Sequence, residues 1–169
     1  MVSCFVSVGS NINKEKNIAQ GLTSLYNTFG KLKISPIYET IAIGFEGENF
    51  YNLVVRFESD LSVCEIFELL RQLEFKHGRP LNSQKFTSRM LDLDLLLYGE
   101  LIIEDEIVTL PRADIENYIF VLQPLADIAP DLKHPILQKS YAEMLLAFDS
   151  TGNNNLKEVP CPISESIIM

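Results

Sequence analysis

Apolar and polar residues alternate from the start of the chain: Val2, Cys4, Val6 and Val8 stand against Ser3, Phe5 and Ser7, and Gly9-Ser10-Asn11 follows with turn chemistry. A strand over Val2 to Val8 is predicted. The period then changes. Ile18, Leu22, Leu25, Tyr26 and Phe29 recur at i, i+4, i+7, i+8 and i+11, one face of a helix, and Gly30 stands where a C-terminal cap belongs. That helix covers Lys14 to Phe29. Two extended segments come next, Lys31 to Ile41 and Phe50 to Glu58, joined by Gly44-Phe45-Glu46-Gly47-Glu48-Asn49 and able to pair antiparallel. Ser62 and Glu65 form a capping box, after which Ile66, Leu69, Leu70 and Leu73 line a helical face that Gly78 ends. Arg79 to Ser88 has no apolar period and reads as a long loop, and Met90 to Leu97 is a strand ending at Tyr98-Gly99-Glu100.

The order βαββαβ predicts an α+β, ferredoxin-like fold, with two helices packed on one face of an antiparallel sheet and the other face left free for a site. Leu101 to Leu110 adds one or two short strands, Asn117 to Ile128 is helical despite Pro124, and Ser140-x-x-Glu143 caps a last helix through Phe148. Thr151-Gly152-Asn153-Asn154-Asn155 reads as a linker, so one domain is expected over residues 1–150, followed by a linker and tail over 151–169.

Composition narrows the function. At 169 residues, 47% hydrophobic and 22% charged, the chain suits one packed domain. Its net charge of −9 repels nucleic-acid backbones and anionic lipid, so neither is an expected partner, and phosphate chemistry must use local basic clusters or metal ions. Cys4, Cys64 and Cys161 are odd in number and widely spaced, which fits a reducing cytoplasm rather than a disulfide framework or a structural zinc site. The N-terminus lacks a signal-peptide pattern, and no apolar run approaches the length of a membrane span. A soluble, cytoplasmic monomer is expected.

The informative stretch is Arg89-Met90-Leu91-Asp92-Leu93-Asp94-Leu95-Leu96-Leu97. Alternation places Asp92 and Asp94 on one face, roughly 6.6 Å apart at Cα, and Leu91, Leu93, Leu95 and Leu97 on the other. An amphipathic strand showing acids to water has the same spacing. Leu96 shares the acidic face, however, so that face is not simply wet. Two carboxylates held this way suit Mg²⁺, which completes its shell with water and substrate phosphates. Lys76, Arg79, Lys85 and Arg89 precede them as positive charge for phosphate. Phe50 and Asn52 share a face in the same manner, an aromatic platform beside an amide that can donate to and accept from a heterocycle. No P-loop, dinucleotide fingerprint, kinase signature or Gly-x-Ser-x-Gly is present, and only His77 and His134 could contribute imidazole.

Taken in order, Gly9-Ser10-Asn11, Tyr38-x-Thr40-x-x-Ile43-Gly44, Phe50-x-Asn52, Glu74 with Gly78-Arg79, Arg89-x-x-Asp92-Leu93-Asp94, Thr109-x-Pro111, and Phe120-Val121-Leu122-x-Pro124-Leu125 with Ile128-Ala129-Pro130 form an ordered set from Phe5 to about Phe148. The set resembles the 6-hydroxymethyl-7,8-dihydropterin pyrophosphokinases, which in folate synthesis transfer pyrophosphate from ATP to a reduced pterin. The resemblance implies the ferredoxin-like fold, ATP as co-substrate, and two Mg²⁺ ions held by Asp92 and Asp94. It places the pterin between Phe50 and Phe120, read by Asn52 and by the loop Thr40, Ile41, Ile43 and Gly44. It makes Arg79 and Arg89 phosphate-binding and catalytic beside the two aspartates, and sets Glu74, Lys85, Leu95, Thr109 and Arg112 around ATP.

The chain departs from that family's pattern at several positions. Leu81 stands for a second arginine, Phe86 for a tryptophan, Thr87-Ser88 for a small residue and proline, Arg112 for a histidine and Tyr118 for an arginine. A catalytically weak paralogue that binds a pterin or nucleotide is the alternative reading, and a generic ferredoxin-like interaction module a third.

Overall fold

The computed structural model of the chain describes residues 1–42, 46–78, 90–148 and 155–163. Strand β1 (Val2–Ser10) runs two residues beyond the predicted end at Val8, because Gly9 pairs with both Asn52 and Asp92, and Ser10 with Tyr51. Tertiary pairing overrides local turn chemistry there. Helix α1 (Lys14–Phe29) has the predicted bounds, buries Ile18, Leu22 and Leu25, and ends at Gly30, whose φ of 81° only glycine adopts readily.

The segment Lys31 to Ile41 is divided into β2 (Lys33–Ile34) and β3 (Ile37–Thr40). Pro36 has no N–H to give to a ladder, and Ser35 bonds to Val54 instead, its backbone N donating to Val54 O (3.0 Å) while its Oγ accepts from Val54 N (2.9 Å). β4 (Phe50–Ser59) lies antiparallel to β3, as expected. Helix α2 (Val63–Lys76) starts on the predicted capping box: Ser62 Oγ accepts from Glu65 N, and Glu65 Oε2 accepts from Ser62 N at 2.8 Å. β5 (Asp92–Tyr98) begins two residues after the predicted start at Met90, which is exposed and outside the ladder. The long loop predicted over Arg79 to Ser88 lies outside the described residues.

Strand order is β5-β1-β4-β3, with neighbours antiparallel. Numbered along the chain these four strands run 4-1-3-2, the split-βαβ order of a ferredoxin-like sheet. Two-residue strands β6 (Ile103–Glu104) and β7 (Thr109–Leu110) pair only with each other among the described residues. The helix predicted over Asn117 to Ile128 is two, α3 (Asp114–Asn117) and α4 (Ile119–Ile128), parted by the extended backbone of Tyr118, with Pro124 inside α4. α5 (Tyr141–Ala147) follows its own capping box, Ser140 with Glu143, and stops one residue before the expected Phe148. The segment given above to a tail contributes β8 (Lys157–Val159), which pairs antiparallel with β3, and Val159 and Ile163 pack on the core.

Two faces of the sheet are covered, where one was expected. Cys4, Val6, Val8, Leu53, Val55, Leu93 and Leu95 pack under α1 and α2. On the reverse face, Phe5, Val54, Leu96 and Leu97 are apolar and take α4 and α5 as a second lid, through Val121, Leu122, Leu125, Tyr141 and Met144. Leu97 was expected beside Leu95. A bulge corrects this: Phe5 pairs with Leu97 and Val6 with Leu95, so Leu96 is the extra residue and Leu97 crosses to the reverse face. Among the described residues, the end of that face nearest Asp92 stays open, and the candidate site lies there.

His134, fully buried beyond α4, accepts at Nδ1 from the backbone N–H groups of Ile136 and Leu137, both at 3.2 Å. Burial lowers its pKa below the ordinary 6.5, against an opposing pull from Glu116, and burial likewise lowers that of His77. A group whose folded-state pKa is depressed contributes stability above the unfolded value and loses it as pH falls. Urea unfolding should therefore show stability declining below about pH 6.5. His134→Asn, whose Oδ1 keeps an acceptor where Nδ1 stands, should flatten that decline; an equally steep decline in the variant would remove His134 as its cause.

Candidate active site

Strand alternation builds the floor of the open end. Register sets Asn52, Gly9 and Asp92 side by side across β4, β1 and β5, and sets Val54, Ser7 and Asp94 in the next row. A Cβ on Gly9 would stand 3.2 Å from Asn52 Oδ1 and 3.9 Å from the Phe50 ring. Glycine therefore leaves a shallow seat between the amide and the carboxylate, where any side chain would fill it. Asn52 Nδ2 donates to Thr40 Oγ1 at 2.8 Å, which orients the amide and leaves Oδ1 directed over Gly9.

A cavity of about 430 Å³ opens on this floor, lined by Thr40, Ile41, Phe50, Asn52, Asp92, Asp94, Leu95, Thr109, Arg112 and Phe120 among the expected residues. Glu74 lines it too. Ile43, Gly44, Arg79, Lys85 and Arg89 fall outside the described residues. Phe120, at the start of α4, stacks on Tyr118 with ring centroids 5.0 Å apart, and Tyr118, which stands where the resemblance implies an arginine, lines the same cavity. The loop ahead of β4 is tied from below: Asn11 Nδ2 donates to Glu48 O, and Lys14 Nζ contacts both Glu39 Oε1 (3.2 Å) and Asn49 O (3.0 Å).

Glu74 is buried on α2 and accepts from the backbone N–H of Leu93 at 2.9 Å. This carboxylate therefore holds the edge strand that carries Asp92 and Asp94, a positioning task the sequence did not reveal. Glu74→Ala should lower stability by about 1–3 kcal/mol, because the Leu93 N–H would lose its buried acceptor. A urea midpoint matching the parent's would contradict that role.

Further residues that the sequence did not single out also line the cavity, four of them polar or aromatic side chains at its edges. Phe67 and Arg71 reach it from α2, around the β5 edge, and Ser7 and Asp114 complete the side near Asp94. Their signals were faint: Arg71 and Glu74 lie three apart on one helix, and Ser7 shares β1's period with Gly9. Arg112 is the cation nearest the paired aspartates among the described residues, with an Nη 3.5 Å from Asp94 Oδ1 and its Nε 3.1 Å from Asp114 Oδ2. Burial alone would lower its pKa, but Asp94 and Asp114 outweigh burial and raise it. The guanidinium is charged at every working pH.

No group of three or more His, Cys, Asp or Glu side chains gathers for a metal among the described residues, so an all-protein cage is not built there. Two aspartates on one face of a polar cavity fit an ion that draws its remaining oxygens from water and phosphate.

Residues 5–130 match the family model described as 7,8-dihydro-6-hydroxymethylpterin-pyrophosphokinase. The 2-amino-4-hydroxy-6-hydroxymethyldihydropteridine pyrophosphokinase of Haemophilus influenzae is 33% identical over 140 residues, covering 80% of this chain and 86% of its own length. The Aquifex aeolicus protein of the same name is 30% identical, covering 85% and 90%. A folic acid synthesis protein of Schizosaccharomyces pombe is 32% identical over 88% of this chain, which spans only 21% of that longer protein. Among solved structures, wild-type HPPK-DHPS from Plasmodium falciparum with pteroate superposes with a TM-score of 0.69 at 12% identity, covering 87% of this chain and 42% of that one. A likeness at that identity bears on the fold alone.

Proposed function

The chain belongs to the 7,8-dihydro-6-hydroxymethylpterin-pyrophosphokinase family, and from that premise we propose that its cavity seats a hydroxymethyl dihydropterin beside ATP on the Asn52-Gly9-Asp92 row. The protein is an ATP-dependent pterin pyrophosphokinase of folate biosynthesis. Its reaction joins the hydroxymethyl oxygen to the β-phosphorus of ATP and breaks the bond from that phosphorus to the oxygen shared with the α-phosphate. AMP leaves, the pterin carries the diphosphate, and the hydroxyl proton is released.

Each residue has a task in this reading. Phe50 and Phe120 clamp the two faces of the pterin, and Asn52, oriented by Thr40, offers Oδ1 to an N–H on its edge. Ile41 closes the seat from the side, with Ile43 and Gly44 assigned to the same loop. Gly9 lets the substituent carrying the hydroxyl lie low between Asn52 and Asp92. Glu74, Leu95 and Thr109 border the nucleotide, and Arg79, Lys85, Arg89 and Arg112 supply the charge that draws its phosphates.

Asp92 and Asp94 would hold two Mg²⁺ ions, which when bound neutralise the phosphates and favour attack at phosphorus. The chain is proposed to act as a monomer in the cytoplasm, without nucleic-acid or membrane partners. No described helix is long and apolar enough to cross a membrane.

The observation that carries the reading is the face on which Asn52, Gly9, Asp92 and Asp94 meet between two phenylalanines. Incubation with ATP, Mg²⁺ and 6-hydroxymethyl-7,8-dihydropterin should yield AMP and pterin diphosphate in equal amounts, and ADP in place of AMP would contradict it.

A further inference from the structure

We propose that Arg112 is a resident counter-charge for Asp94, so that a divalent cation binds this carboxylate weakly until a nucleotide triphosphate draws the guanidinium away. The inference rests on the assignment of Asp94 as a metal ligand. Arg112 is tied to the strand it faces, since its backbone N donates to Leu96 O at 3.0 Å, two residues along β5 from Asp94. The side chain then lies between two carboxylates, 3.5 Å from Asp94 Oδ1 and 3.1 Å from Asp114 Oδ2.

A cation approaching Asp94 alone must displace or tolerate a positive charge a few ångströms away, which opposes binding. A triphosphate changes the balance. Its oxygens are stronger partners for a guanidinium than a single, partly buried carboxylate is, and Asp114 remains as a second anchor that keeps Arg112 beside the site. Nucleotide arrival thus removes the opposing charge of Arg112 from Asp94, and the metal in turn favours the nucleotide, a coupling that must be equal in both directions. A neutral side chain at this position would lack the device.

The test uses Mn²⁺ as the probe, with free ion followed by electron paramagnetic resonance in the intact protein. Arg112→Gln and Arg112→His at pH 8 should each bind Mn²⁺ about five- to tenfold more tightly than the parent when no nucleotide is present. The non-hydrolysable analogue α,β-methylene-ATP should tighten Mn²⁺ binding more in the parent than in either variant. Asp114→Asn, which leaves the β5 aspartates as Arg112's described charge partners, should weaken Mn²⁺ binding without nucleotide. Thermal melts of each variant establish that it is folded. Unchanged or weaker Mn²⁺ affinity in both Arg112 variants, or equal tightening by the analogue in all proteins, overturns the proposal. Mn²⁺ binding that ignores both Asp92→Asn and Asp94→Asn instead removes the metal assignment beneath it.

Discussion

Asp92→Asn and Asp94→Asn are each expected to slow pterin diphosphate formation by about three orders of magnitude or more while the fold survives. Both side chains sit on the open end of the reverse face, with Asp94 paired across to Ser7 and Asp92 to Gly9, so neither supports the packed core. Asparagine keeps the shape and removes the charge. Under the proposed metal assignment, phosphate held through Mg²⁺ would lose its anchor, and in Asp94→Asn the guanidinium of Arg112 keeps Asp114 as a partner. The loss should fall on turnover at saturating ATP, and urea midpoints should stay near that of the parent. Two variants that turn over normally would remove the carboxylates from the chemistry.

Pterin affinity should fall by roughly 1–3 kcal/mol in Phe50→Ala, by analogy with the stacking of bases on aromatic rings. Phe120→Ala should cost about the same, because the ring lost is one of the two proposed to face the pterin, and Tyr118 loses its stacking partner as well. Asn52→Ala should also weaken binding, since the pterin edge would lose an acceptor and Thr40 a donor to its hydroxyl. Calorimetry with the pterin and a non-hydrolysable ATP analogue measures all three. Affinities equal to the parent's in Phe50→Ala and Asn52→Ala would return those residues to a packing role.

What could be read in the chain was the chemistry that acts over a few residues. Both capping boxes, Ser62 with Glu65 and Ser140 with Glu143, are local reciprocal hydrogen bonds and appear as predicted. Alternation likewise brought Phe50 with Asn52 and Asp92 with Asp94 onto one face. What escaped depends on partners distant in sequence. β1 outruns its turn residues because β4 and β5 both pair with them, and the bulge at Leu96 exists only in the β1–β5 register.

The second cover of the sheet was missed for a related reason. α4 is apolar around much of its circumference, so its pattern does not tell which sheet face it seeks, whereas Leu96 beside two aspartates already hinted that the acidic face was partly dry. Arg71 and Phe67 reach the cavity from a helix on the opposite face, around an edge strand, and no spacing in the sequence encodes that route. Glu74 was assigned to ATP on resemblance alone, and its bond to Leu93 adds a structural duty to that assignment.

Pyrophosphate transfer on the face shared by Asn52, Gly9, Asp92 and Asp94 can be followed with ATP labelled in its β-phosphate. The parent protein, given Mg²⁺ and 6-hydroxymethyl-7,8-dihydropterin, should move the label into the pterin product and leave AMP unlabelled, and Asp94→Asn should abolish that transfer. Label retained in ADP, or label transferred equally well by Asp94→Asn, would show that this face does not carry the transfer.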